Sequence, residues 1–441
     1  MSALSTSADN GETVVKVWLL SRVVIALVGV GVMLTSHIDV GTLLRRWDVL
    51  HFMAIANDGY ADSTSPAFFP GLPLLLKAGT FIGLPMELTG VLVSLAGSAL
   101  AAVALYKMFG VPAACLWLIA PAAVFTFVGY TEAAFCAAAF WAWYHAREDR
   151  WAQAAVLAGV ACTFRVSGLF LIGALALMAL VNVLRTTVPR EASPDSVNTR
   201  EASPDSVNTR GAPPDSVILR GAPPDSVILR GAPPDSVILR GAPPDSVILR
   251  GAKRSRRIWP AFVTHLLKAW AWLLIPLAVL GAYELYLHGV TGTWTAWLQA
   301  QQTGWARGFT NPLVSLQHTI DAGHLLAWPG RPDVAWVFRA EVGSMAVGLA
   351  VTVFCLARRH WAAAAFVGIQ VVAFGTSYWY MSVNRAVLLW FPLWAGLGAA
   401  VTWRPSRWRQ GKNVAVAVYV VLSATAMIIW SWLFFTGRWA S

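Results

Sequence analysis

The chain has 441 residues, of which 57% are hydrophobic and only 12% charged, with a mean hydropathy of +0.59. So little polar surface excludes a soluble globule and predicts an all-α polytopic membrane protein. The formal charge of +11 does not indicate nucleic acid, because the basic residues cluster in loops between apolar runs, where they set topology; membrane lipids are the expected surroundings.

The first sixteen residues are polar, without a basic start or a small-residue cleavage site, so no cleaved signal is expected. At roughly 20 apolar residues per crossing, about eleven spans fit: 14–35, 88–108, 111–128, 133–146, 151–164, 168–184, 262–287, 340–356, 361–379, 386–403 and 414–435. Lys16 and Arg22 favour a cytoplasmic N-terminus. That orientation puts residues 37–84 outside as a large loop after the first helix.

Within that loop, residues 45–73 read RRWDVLHFMAIANDGYADSTSPAFFPGLP. Trp47, Leu50 and Ala54 recur at helical spacing, and Asp48, His51 and Ile55 follow one position later. This predicts a short interfacial helix whose acid and imidazole face one surface, ending at Gly59-Tyr60. Four residues in 66–73 are Pro or Gly and stiffen the segment that carries Phe68 and Phe69, aromatics placed to anchor at the interface or stack on a ligand.

Spans 111–128 and 133–146 meet at Gly129-Tyr130-Thr131-Glu132, an outer turn with one acid. The segment 151–164 is short for a crossing. If it is a broken helix, Arg165 lies within the membrane and needs a partner or a cavity. The four cysteines, at 115, 136, 162 and 355, all lie in apolar runs and read as small core residues.

Residues 191–250 are six tandem decapeptides, EASPDSVNTR twice and then GAPPDSVILR four times. The Asp and Arg of each repeat cancel and two repeats add a Glu, so the block carries −2 and the remainder +13. So much proline predicts a disordered cytoplasmic spacer, which Lys253, Arg254, Arg256 and Arg257 pin inside. A second outer loop, 289–339, holds Trp297, Gln301, Trp305 and Arg307, side chains suited to sugar recognition. The chain thus divides into a membrane module at 1–185, the repeat loop at 186–257 and a second membrane module at 258–441. Basic clusters at 358–359 and 404–412 mark later inner turns, and 380–385, YMSVNR, an outer one.

WDVLHFMAIANDGY followed by AFFPGLP resembles the WDxxHFxxIAxxGY…AFFPxxP pattern of the PIG-V-like mannosyltransferases, of which this looks like a bacterial-type member. YTEAAF at 130–135, FRVSG at 164–168 and NRAVLLWFPLW at 384–394 resemble the same family's YTE, TRxxG and sRxxLPxFPxf patterns. Phe164, Val166-Ser167 and Leu388-Leu389 depart from them.

The resemblance implies a GT-C membrane fold and a polyprenyl-phosphate-mannose donor, with transfer to a lipid, glycan or protein acceptor on the outer face. No other cofactor and no metal is expected. Single displacement needs a base for the acceptor hydroxyl and cations for the departing phosphate. Asp48 suits the base, since an aspartate is ionised at neutral pH. Arg165 and Arg385 suit the phosphate, with Arg45 or Arg46 behind them. Trp47, His51, Tyr60, Phe68, Phe69, Tyr130 and Glu132 complete the expected substrate site. The rival reading is a transporter or flippase of lipid-linked sugars, but transporters hold their ionisable residues at the midplane, and these lie on outer loops.

Overall fold

The computed structural model describes residues 2–187, 263–403 and 409–440. Among them the chain is helical, with no strand, as an all-α multi-pass membrane protein requires: no water is present in a bilayer core to pair open backbone groups. The decapeptide block falls outside the described residues. The chain forms two compact units, Met1–Ala179 with Ala269–Ser441, and Leu180–Lys268. Everything below concerns the first.

The helices are α1 (Ser2–Ser36), α2 (Val40–Leu44), α3 (Asp48–Asp58), α4 (Gly71–Phe81), α5 (Met86–Phe109), α6 (Val111–Leu118), α7 (Glu132–Arg147), α8 (Trp151–Cys162), α9 (Ser167–Thr187) and α10 (Leu274–Thr291). There follow α11 (Ala296–Trp305), α12 (Pro312–Ala322), α13 (Pro332–Ala357), α14 (Trp361–Gly375), α15 (Val383–Ala386), α16 (Phe391–Thr402) and α17 (Arg409–Phe435).

Among the described residues six helices are long and apolar enough to cross a membrane, or seven if the pair 383–389 and 391–402, bent by 68°, makes one span. The other five of the eleven predicted segments are shorter or broken. Span 111–128 is the short α6 followed by a 3-10 turn at Ala123–Thr126, α8 has only 12 residues, and α7 has 16, most of them buried. Apolar runs of this length serve as core helices packed on neighbours, and composition alone does not separate them from crossings.

Arg22 is one reason the third segment breaks. It is buried in α1, and its guanidinium donates to the Thr126 carbonyl at 2.8 Å, to Thr126 Oγ1 at 2.7 Å and to the Leu118 carbonyl at 3.3 Å. A cation at the C-terminal end of α6 meets the negative end of its dipole and satisfies carbonyls that the break exposes. The residue counted as a topology signal is therefore a packing element.

Small residues allow α5 to lie directly on α7. A Cβ added to Gly97 would come within 2.7 Å of the Ala133 backbone. Close backbone approach of this kind is how membrane helices associate when apolar burial no longer distinguishes lipid from protein. The contact fixes the start of α7, and with it Glu132, against the rest of the bundle.

Candidate active site

The short helix predicted from the spacing is α3, which begins at Asp48 and stops, as expected, at Gly59, whose φ of +73° closes it. Its buried face is Val49, Phe52, Ile55 and Ala56, and Trp47 and Leu50 are exposed. Trp47 has φ +51°, rare for a bulky side chain. That turn sets the first residue of α3 against the Tyr130 loop, where the Asp48 backbone N–H donates to Tyr130 Oη at 3.2 Å.

Two basic and two acidic side chains then alternate. Arg165 Nη1 donates to Glu132 Oε1 at 2.6 Å and to Thr131 Oγ1 at 3.0 Å. Arg385 Nη1 lies 3.6 Å from the same Glu132 oxygen and donates to Asp48 Oδ2 at 2.8 Å. The Arg385 guanidinium also sits over the rings of Phe125 and Tyr130, at 5.3 and 5.2 Å, a cation–π environment in which arginine keeps its charge. Glu132 is wholly buried. Arg165 is expected from the sequence to need a partner or a cavity if the helix breaks there; at the break between α8 and α9 it has Glu132 as partner and also lines a cavity.

Arg385 is aimed from behind by a residue the motifs do not contain. Glu341, on α13 and fully buried, accepts from the backbone N–H groups of Ser382 at 3.0 Å, Val383 at 2.7 Å and Asn384 at 3.1 Å. It caps the short turn that starts α15, where Ser382 has φ +67° and its hydroxyl accepts from Arg385 Nη2 at 2.9 Å. The signal available was an acid inside an apolar run, which in a membrane protein calls for a partner. Glu341 falls in the predicted span 340–356, and the helix itself starts eight residues earlier, at Pro332.

Asp48, Arg165 and Arg385 open onto one cavity of about 350 Å³. Phe68, Phe69, Phe164, Trp297, Gln301, Trp305 and Arg307 are further parts of its wall. Gln301 Nε2 reaches the Ala67 carbonyl at 3.4 Å, and its Oε1 accepts from Arg307 Nη1 at 3.2 Å, so the second loop is tied to the first across the cavity.

The remaining predicted site residues lie off the cavity wall. Arg45 pairs with Glu87, and Arg46 lies beside Gly437 with a buried, unpartnered Nε. Trp47 is exposed. His51 stacks on Phe68 with ring centroids 4.8 Å apart and meets the edge of Trp305; no hydrogen bond joins it to Asp48. Tyr60 donates to the Phe68 carbonyl at 2.9 Å, as does Tyr283, which makes Tyr60 a prop of the aromatic loop. Tyr130 and Glu132 are buried behind Asp48, Arg165 and Arg385.

Asp62, unmarked by any motif, accepts from the backbone and hydroxyl groups of both Thr64 and Ser65, and these bonds hold its carboxyl well below the usual carboxylate range. It fixes the turn that delivers Phe68 and Phe69.

Over 149 residues the chain is 35% identical to the protein named GPI alpha-1,6-mannosyltransferase 2 of Mus musculus, 38% to that of Rattus norvegicus and 34% to that of Homo sapiens. Over that stretch it resembles the PIG-V-like mannosyltransferases. The match covers 30% of this chain and 30% of each relative, so the chain spans under a third of the length of the curated relatives it matches. No family model matches the chain, and no solved structure matches it significantly. Membrane helices and PIG-V-like sequence therefore meet in one molecule, whose alternating charges face a cavity.

Proposed function

We propose that this chain is a membrane mannosyltransferase. It takes mannose from polyprenyl-phosphate-mannose and passes it to a hydroxyl of a lipid, glycan or protein acceptor on the extracytoplasmic face. The relatives are named for α-1,6 transfer in GPI synthesis; what is carried over here is mannosyl transfer. The observation that carries the reading is the Asp48–Arg385 pair on the cavity wall. One carboxylate oxygen is held by the guanidinium at 2.8 Å, and the other has no hydrogen-bond partner among the described residues.

In single displacement, Asp48 Oδ1 receives the acceptor's hydroxyl proton as that oxygen attacks the anomeric carbon. The bond from this carbon to the phosphate oxygen breaks, and its electron pair leaves with the polyprenyl phosphate. Arginines at the wall meet the charge that develops on the phosphate. The aromatic group of Phe68, Trp305 and Trp297 offers apolar faces to a sugar ring.

A transporter reading requires no proton acceptor beside an acceptor hydroxyl. The test is transfer by the purified chain in liposomes given either polyprenyl-phosphate-mannose or GDP-mannose alone. Transfer from the lipid donor is expected. Efficient transfer from GDP-mannose and none from the lipid donor would overturn both donor and orientation.

A further inference from the structure

The four alternating charges of Arg165, Glu132, Arg385 and Asp48 cancel. Both arginines assigned to the phosphate by motif are already engaged with carboxylates, at 2.6 and 2.8 Å. A third guanidinium on the wall is not. Arg307 donates to two neutral oxygens, Gln301 Oε1 at 3.2 Å and the Met381 carbonyl at 3.1 Å, and among the described residues it forms no salt bridge.

Its position is built. Ala306 takes a left-handed φ of +51° at the end of α11, and the Arg307 N–H returns to the Gln301 carbonyl at 3.1 Å, which swings the side chain back over the cavity. Burial first, and then the neighbouring Arg385 and Arg165, push its pKa down to about 10, so it is still a cation at neutral pH. A cation held by neutral acceptors beside two other cations lacks an anion. The cavity is +1 by this count, the complement of a phosphodiester.

We infer that Arg307 is the anionic anchor of the site and contacts the phosphate of a prenyl-linked donor, an assignment that rests on the function proposed above. The wall also chooses between a lipid and a free phosphate. Phe170 at the start of α9, Ala373 and Phe374 at the end of α14, and the exposed Leu298 and Phe309 line the same cavity and offer a prenyl chain an apolar path. Arg385 then keeps its hold on Asp48 while Arg307 takes the headgroup.

The experiment is binding, separate from turnover. Full-length wild type, R307Q and R307K in nanodiscs are titrated with radiolabelled polyprenyl phosphate, with the matching polyprenol, and with inorganic phosphate as competitor. R307Q should weaken polyprenyl phosphate about 10- to 100-fold, the scale of one charge-assisted hydrogen bond, and leave polyprenol unchanged. R307K, which keeps the charge, should fall between wild type and R307Q. Inorganic phosphate at millimolar concentration should not displace the lipid. Wild-type affinity of R307Q for polyprenyl phosphate, or an equal loss for polyprenol, would overturn the assignment, and displacement by inorganic phosphate would overturn its lipid part. If the wild type binds the lipid phosphate but transfers no mannose, the transferase reading falls and these binding ratios still decide the role of Arg307.

Discussion

Arg385 and Asp48 stand 337 positions apart in the chain, yet Arg385 Nη1 donates to Asp48 Oδ2 at 2.8 Å. The pair joins the first polar island to the last motif and gives the carboxylate a fixed orientation. Its held oxygen faces the guanidinium, which leaves the second oxygen for chemistry.

Asp48→Asn keeps the shape, retains a carbonyl oxygen for Arg385 and removes the proton acceptor. We expect turnover to fall on the order of 10² to 10⁴, the range for loss of a general base, with thermal unfolding in detergent close to wild type. Near-wild-type turnover would place the base elsewhere, and Glu132 would be the next residue to test.

Much of this pairing was legible in sequence because short, dense motifs named both ends: Asp48 and Phe68 from the island, Glu132 from YTE, and Arg165 and Arg385 from the later patterns. The α3 helix and its Gly59 stop followed from spacing. What could not be read were contacts made by residues without a pattern around them. Arg22 looked like a topology signal until its bonds to Leu118 and Thr126 were seen. Glu341 reaches α15 by backbone bonds, and these leave no mark in the residues they hold. Six described helices, or seven with the bent pair, reach spanning length against the eleven segments read from composition, because α6, α7 and α8 are apolar but have only 8, 16 and 12 residues.

Glu132 is wholly buried, and its Oε1 is shared by Arg165 at 2.6 Å and Arg385 at 3.6 Å. Glu132→Ala would leave two guanidinium groups facing one another with only Asp48 between them and solvent. Removing one partner of a buried ion network costs about 3–5 kcal/mol. A marked drop in the unfolding temperature in detergent is the expected result. An Ala variant as stable as wild type but inactive would instead make Glu132 a reacting group.

Glu341 acts through Arg385 without reaching the cavity. Glu341→Gln keeps the volume but offers one strong acceptor to three backbone N–H groups. The turn carrying Ser382, with its φ of +67°, then loosens and Arg385 shifts. Displacement of a positioned group by about 1 Å costs roughly 10²-fold, so kcat should fall on that scale while the donor KM stays within a few-fold of wild type. A rise in donor KM at constant kcat would show that Glu341 supports binding and not the alignment of Asp48.

The sequence of the six decapeptides, with proline in every repeat, leads us to expect a spacer that takes no part in transfer. Deletion of residues 191–250 should leave transfer largely intact. A deleted chain that inserts and folds yet transfers nothing would give the repeats a role in catalysis or assembly.

Gly71 supplies a test of how the two halves of the cavity are held together. Its N–H donates to the Thr163 carbonyl at 2.7 Å, and a Cβ added to it would meet Thr163 Oγ1 at 2.6 Å and that carbonyl oxygen at 2.7 Å. Both distances are too short for a methyl group, so Gly71→Ala must push the AFFPGLP segment away from the break that carries Arg165. Overpacking of this kind costs about 1–3 kcal/mol. The larger effect should be on rate, because Phe68 and Phe69 on one side and Arg165 on the other line the same cavity. We expect a drop in kcat approaching 10²-fold for a displacement near 1 Å, with the chain still folded. Gly173→Ala is the control, since its added methyl meets nothing within 4 Å, and it should turn over as wild type. If Gly71→Ala and Gly173→Ala are equally active, the contact between Gly71 and Thr163 does not set the geometry of the site.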